Sequence, residues 1–409
     1  MNIRNIKARE ILDSKGNPTV EVDVVLDCGV VGRASVPSGA TISEKESFDL
    51  RDDDERYHGK GVLKAVENIN TTIKEKLVGM DALDQNKIDN TLIELDGTEN
   101  KSKLGANAVL GVSSAVYKAA IRYLGKPVYR YLTSEPTMPK PMINLLNGGL
   151  YANNNLDFQG YMIVPNLSSF REMVRAGSEI YHQLEKILIK KGYITSVGDD
   201  GGFAPNLKSN VEALDLIVDA IKEAGYLPGI NVDIALDVDA SNFYVEGRYK
   251  INGVAKTLNS DQLIMYYEDL FKAYPIVSIE DPFNKDDIDA FAKLTSRVGE
   301  KIKIIGDDLY YSNVKYLKEG IANKTTNAIL IKLNQVGTIS EILETIKLAK
   351  KARFETIIAN RNGETEDTLV ADLAVGLNID QVKFGSMART DRICKYNQLM
   401  RIEDEINRR

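Results

Sequence analysis

The sequence predicts a two-domain α/β protein: a smaller α+β domain with an antiparallel hairpin, then a larger closed α/β barrel. Three observations carry this. A chain of 409 residues exceeds the roughly 250–300 that one core sustains. Thr19-Val20-Glu21-Val22-Asp23-Val24-Val25 alternates like a half-buried strand. From about residue 231 onward, short apolar runs alternate with amphipathic stretches, the signature of strand-helix units with parallel strands.

In order along the chain, residues 19–36 read as two strands around a turn at Asp27-Cys28-Gly29. Helical spacing follows over about 60–79 and 103–124, the second rich in Ala, Gly and Ser, which suits close packing against another element. Pro136, Pro139 and Pro141 forbid helix continuation and stiffen a linker, so the division falls between 1–135 and 136–409. Beyond it, strands are expected at 231–237, 276–280, 302–307, 328–332, 356–360 and 381–384. Helices are expected at 260–273, 286–298, 312–321, 338–351 and 366–376, and from about 390. An open doubly wound sheet is the rival, but this many units without a Gly-rich nucleotide loop favour closure.

Composition narrows the function. The balance of 52 Lys+Arg against 59 Asp+Glu gives −7, which argues against a broad nucleic-acid surface and leaves room for a pocket that binds a small anion. Cys28 and Cys394 form no CxxC pair, so a reducing, cytoplasmic setting is expected. The N-terminal residues carry no apolar signal core, and no run of about 18 apolar residues occurs, so neither secretion nor membrane spanning is expected. With two histidines, His58 and His182, a three-His zinc site is excluded by counting. Carboxylates and lysines must carry any chemistry.

Such groups stand where the apolar strand runs stop: Asp237, Glu280, Asp307, Lys332, Asn360-Arg361 and Lys383. In a parallel barrel these ends converge on one mouth. Any one of them alone reads equally well as a helix cap or a surface ion pair. Six in successive units are harder to explain that way. Three adjacent carboxylates would raise one another's pKa unless a cation neutralised them, which points to a hard divalent metal such as magnesium. Facing such a metal, a neutral lysine can remove the proton alpha to a substrate carboxylate.

Long ordered blocks then become recognisable: residues 8–22 (Ala8-Arg9-Glu10-Ile11-Leu12-Asp13-Ser14-Lys15-Gly16-Asn17-Pro18-Thr19-Val20-Glu21-Val22), Val36-Pro37-Ser38-Gly39-Ala40, Gly198-Asp199-Asp200-Gly201-Gly202-Phe203-Ala204-Pro205, Ser278-Ile279-Glu280-Asp281-Pro282-Phe283, Ile331-Lys332-Leu333-Asn334-Gln335-Val336-Gly337-Thr338 and Gly363-Glu364-Thr365-Glu366-Asp367. Over nearly its whole length the chain resembles the enolase (phosphopyruvate hydratase) family. That resemblance implies a small α+β domain followed by a TIM-like barrel, a homodimer with Glu21 and Arg401 in the contact blocks, and a magnesium-dependent lyase acting on a small phosphorylated carboxylate. It assigns Asp237, Glu280 and Asp307 as metal ligands, Lys332 as the base and Lys383 as the second lysine that holds the substrate carboxylate. It assigns Arg361 to the substrate phosphate and Thr41, in a mobile loop, to a second metal.

The departures from the family pattern cluster on one side. Gly160, after Asp157-Phe158-Gln159, stands where the family has a glutamate, and Asp200 shortens that glutamate's partner. Tyr151 and Asn360 replace family histidines, and Asn362 replaces a phosphate-binding serine. The resemblance therefore leaves Asp200 on the acid side, with Tyr151, Gln159, Asn360 and Asn362 toward the substrate. The metal and base side is preserved while the side that expels the 3-hydroxyl is rebuilt. Three readings follow: interconversion of 2-phosphoglycerate and phosphoenolpyruvate; the same enolate chemistry on another phosphorylated or phosphonylated carboxylate; and a non-catalytic scaffold.

Overall fold

The computed structural model describes residues 1–39 and 45–408. Strands β1 (Ile3–Leu12), β2 (Pro18–Leu26) and β3 (Val31–Ser35) form an antiparallel sheet in that order. Alternation along β2 buries Val20, Val22 and Val24 on one face and turns Glu21 and Asp23 to the other, where Arg9 and Arg33 pair with them. The buried face rests on helix Ala106–Tyr123, whose small residues allow backbone-close packing. A Cβ on Gly32 of β3 would fall 2.2 Å from the Ala115 carbonyl oxygen and 2.4 Å from the Ala119 nitrogen.

The hairpin and the close-packed helix are those the sequence predicts. Strand β1 is an addition: the register shifts between Ile3 and Asn5, so its buried Ile3, Ile6 and Ala8 fall out of strict alternation. The helix expected over 60–79 occupies 63–77 with a π segment at Ile69–Ile73, and a further helix, Gln85–Asp96, is capped by Asp84.

The chain continues through β4 (Lys140–Asn147), β5 (Gly160–Pro165) and β6 (Val232–Asp237), then an outlying ribbon of β7 (Tyr244–Val245) and β8 (Arg248–Tyr249). After these come β9 (Ile276–Glu280), β10 (Lys303–Gly306), β11 (Ala328–Ile331), β12 (Glu355–Ala359) and β13 (Gln381–Lys383). Among the described residues, β4, β5, β6 and β9 to β13 close into an eight-stranded barrel in chain order. Met142, Met162, Ala235, Ile305, Leu330 and Ile357 fill its interior, so it is a packed core and no channel.

The expectation of parallel strands holds for every barrel pair except those of β5, which runs antiparallel to β4 and β6. The connection 148–159 holds only the short turn Gly149–Tyr151 and no crossover helix, so the chain returns as a hairpin. Neither β4 nor β5 is among the strands the sequence predicts, because Pro141, read as linker, lies inside β4 at its second position, near the strand start where proline is tolerated.

Two stability predictions follow from this packing. Gly32→Ala should cost about 1–3 kcal/mol in urea unfolding, as overpacking against backbone does; an unchanged midpoint would show that the sheet-to-helix spacing yields. Asp372 lies on helix Leu369–Gly376, and burial pushes its carboxyl up to about 6 against the pull of the Gln398 amide. Its folded-state value is raised, so the stability it contributes is present below the ordinary carboxylate range and lost as pH climbs through about 6. Asp372→Asn should therefore raise the melting temperature at about pH 7.5 but barely at about pH 4, a gain of up to about 3 kcal/mol. An equal effect at both values would reject that origin.

Candidate active site at the barrel mouth

Seven barrel strands present their C-terminal ends to one mouth, and antiparallel β5 presents its first residue, Gly160, paired with Asn147 of β4 and Asp237 of β6. Asp237 and Glu280 end neighbouring strands in register, and Asp307 follows β10 directly. Across from them, Lys332 follows β11 and Lys383 ends β13. The Lys383 Nζ donates to Asp237 Oδ2 at 2.7 Å and to Glu280 Oε2 at 2.8 Å. Lys332 pairs with Asp307. The structure thus brings these five predicted residues into one buried cluster of three carboxylates and two ammonium groups.

Burial and the nearby Asp237 push Glu280 up to about 8 despite Lys383. Burial also works against charge on Asp307, yet Lys332 holds that carboxyl below its ordinary value. In return, Lys332 is held above its ordinary value against its own burial, chiefly by Asp307, and Lys383 lies well above its own through Asp237 and Glu280. A hydrogen-bond chain fixes Lys332: the Ser312 hydroxyl accepts from its backbone N–H at 2.8 Å and donates to Gln335 Oε1 at 2.5 Å. Gln335 Nε2 in turn donates to Asp307 Oδ1 at 3.1 Å.

A second set of acids stands one residue or two beyond the strand ends. Carboxylate oxygens of Asp281, Asp307 and Asp308 lie within 4.8 Å of one another, a group that could hold a metal ion. Asp281, however, already accepts from the backbone N–H groups of Asp307 and Asp308 at 3.1 and 2.9 Å, and burial pushes it well above the usual range. Its role is to hold the turn after β10. Burial, with neighbouring acids, lifts Asp239 to about 7 and Asp308 to about 6. Asp237, Glu280 and Asp307 also offer hard oxygen donors from three adjacent strands, the donor chemistry that suits a hard divalent ion, but they are not drawn together as closely as that group.

Arg361 is buried, and its guanidinium meets Glu46 of the small domain at 3.1 Å. Asn362 lines the cavity, but its amide is engaged at both ends, accepting from Lys15 Nζ at 2.8 Å and donating to Asp199 at 3.0 Å. With its amide oriented to satisfy both neighbours, Asn360 donates to the Lys383 carbonyl at 2.9 Å and accepts from Arg392. Tyr151 and Gln159 line the cavity together with Leu150. Burial, with Asp200 and Asp237 nearby, drives the Tyr151 phenol well up, so it stands as a neutral donor. Asp200 is buried and faces Arg392 at 3.2 Å, and it is not among the residues that line the cavity. Thr41 lies outside the described residues.

Sequence reading missed Glu46, Gln335 and Arg392. Fully buried on helix Thr390–Asn407, Arg392 donates to the carbonyls of Arg361 at 2.5 Å and Asn362 at 2.9 Å. It resembles any surface-helix arginine in sequence, and Glu46 lies in a stretch without periodicity. The doubled acids Glu280-Asp281 and Asp307-Asp308 were a visible signal that the second acid had a task.

Comparison with known protein families gives two matches. Residues 3–132 match the family model described as Enolase, N-terminal domain, and residues 135–409 match Enolase, C-terminal TIM barrel domain.

Arg392→Gln leaves Asp200 buried without its cation, which should cost about 3–5 kcal/mol. Adding Asp200→Asn should recover part of that loss in a double-mutant cycle. If nothing is recovered, Arg392 works through the two carbonyls alone.

Proposed function

The chain belongs to the enolase family, and on that premise we propose that it is a magnesium-dependent lyase interconverting 2-phosphoglycerate and phosphoenolpyruvate through an enolate. The observation that carries this reading is the pairing of two buried lysines from separate strand ends with three carboxylates, beside a buried arginine. A magnesium ion held by Asp237, Glu280 and Asp307 would supply Lewis acidity to the substrate carboxylate and share the charge of Asp307 that now keeps Lys332 protonated.

Lys332 takes the alpha proton, and Lys383 offers a second cation to the carboxylate, whose charge grows as the enolate forms. Arg361 receives the phosphate, exchanging Glu46 for it, while Asn360, Asn362 and Gln159 line the approach. Thr41 contributes its hydroxyl to a second magnesium in this reading. On this reading Asp200, whose carboxyl pKa burial raises, supplies through a water the proton with which the 3-hydroxyl leaves as water, and the neutral Tyr151 donates a hydrogen bond to it. The small domain (1–135) acts with the barrel (136–409), since Glu46 comes from the first and Arg361 from the second. We also read the protein as a cytoplasmic homodimer, although Glu21 is already paired with Arg9 inside the chain.

A second reading keeps the enolate and changes the substrate to another phosphorylated or phosphonylated carboxylate. It is favoured by the position of Asp200, whose carboxylate faces Arg392 and does not reach the cavity wall. Incubation of protein, magnesium and 2-phosphoglycerate in deuterated water should give label at C2 together with phosphoenolpyruvate. Lys332→Ala should slow both by about 10²- to 10⁴-fold. Label without product would favour the second reading, and neither from the wild type would reject the first.

A further inference from the structure

We infer that the hairpin wall of the cavity, formed by Leu150, Tyr151 and Gln159, together with the space that Gly160 leaves beside Asp237, is a pocket for an uncharged substituent on C3 of the substrate. The preferred substrate would then be a C3-branched homologue of 2-phosphoglycerate. This rests on the reading of Lys332 as the base that forms the enolate.

The first support is the glycine. Near the mouth, Gly148 is demanded by packing, since a Cβ there would fall 2.5 Å from the Phe158 carbonyl oxygen, and so is Gly202, with a Cβ 2.9 Å from Asn147 Oδ1. Gly160 is under no such demand. Its φ is not positive, and its Cβ would meet nothing nearer than Asn144 Oδ1 and Asp237 Cβ, both at 3.4 Å. It lies two residues before Met162, whose side chain fills the barrel interior, so by the strand's period of two Gly160 faces the same way. The absent side chain therefore leaves a space of about one methyl group on the barrel axis, in contact distance of Asn144 and of Asp237, which lines the cavity.

The second support is the chemistry of the wall. Asp237, Glu280, Asp307 and Lys332 line one side of the cavity, whereas the hairpin loop contributes only neutral groups. Leu150 lines the cavity while 54% exposed, apolar surface left in water at the edge of a charged site. A charged substituent would lose its hydration against a wall whose own members, Leu150, Tyr151 and Gln159, carry no counter-ion. An alkyl group would instead gain by leaving water for this neutral wall. The substituent takes no part in bond making. Lys332 removes the C2 proton, the C2–C3 double bond forms, and the 3-hydroxyl departs as water as before.

The test compares 2-phosphoglycerate with 2-phospho-3-hydroxybutyrate, its C3-methyl homologue, binding each to the magnesium-loaded protein by calorimetry and following C2 proton exchange by NMR. The wild type should bind the homologue about fourfold more tightly, the gain from one buried methyl group. Gly160→Val fills the space and should bring the ratio of affinities below one. That ratio does not depend on how much of the variant is folded. A wild type that prefers the parent compound, or a ratio that Gly160→Val leaves unmoved, overturns the pocket. Tight binding of the homologue with no exchange of either compound overturns the lysine reading and leaves the substituent pocket standing.

Discussion

Everything at the barrel mouth depends on compensating buried negative charge. Asp237, Glu280 and Asp307 are each almost fully buried, and a carboxylate taken out of water without a partner costs several kcal/mol. Lys383 and Lys332 meet that cost directly, the first by bridging two acids and the second by pairing with the third. The topology makes this arrangement reachable, because parallel strands deliver their last residues to a common rim within a few ångström of one another. Asp281 then fixes the turn that carries Asp307, and Gln335 with Ser312 fixes the backbone of Lys332.

The small domain takes part in the same arrangement. Ser38 and Gly363 exchange backbone hydrogen bonds of 2.7 and 2.9 Å, stitching the first domain to the loop that carries Arg361. A Cβ at 363 would lie 2.4 Å from the Ser38 hydroxyl and 2.5 Å from Asp13 Oδ2, so a larger residue there would displace the Ser38–Asp13 pair. Glu46 then reaches Arg361, and Lys15 binds both Asn362 and Asp199. From the barrel side, Arg392 holds the carbonyls of residues 361 and 362. The loop that carries Arg361 is thus clamped from two domains, which fixes where its guanidinium can meet an anion.

These relations explain how much could be read from the sequence. An apolar run that ends in a charged residue is a local pattern, so Asp237, Glu280, Asp307, Lys332 and Lys383 were legible at the strand ends, and the structure gathers them. Partners set by long-range contact leave no such trace: Glu46 and Arg361 are 315 residues apart. Of the strands missed, β1 is broken by its bulge, β4 carries Pro141, and β5 is buried on both faces and so shows no alternation. Missing β4 and β5 also hid the one antiparallel strand, and with it the reason that Gly160 reaches the mouth from the start of a strand and not from its end.

On the proposed function, that single reversal gives a physical reason for departures from the family pattern to fall on one side. The acids and lysines come from parallel strand ends and are coupled to one another, so replacing one strands the charge of another in a dry environment. The opposite wall comes from the twelve-residue hairpin connection 148–159, whose cavity-lining members Leu150, Tyr151 and Gln159 are neutral. A change there alters shape and hydrogen bonding and leaves no buried charge uncompensated. On the proposed function, the same fold can therefore hold its lysine and carboxylate side fixed while the wall that comes from the hairpin is free to be rebuilt, so that substrate choice would fall to the loop of the one barrel strand that runs the other way.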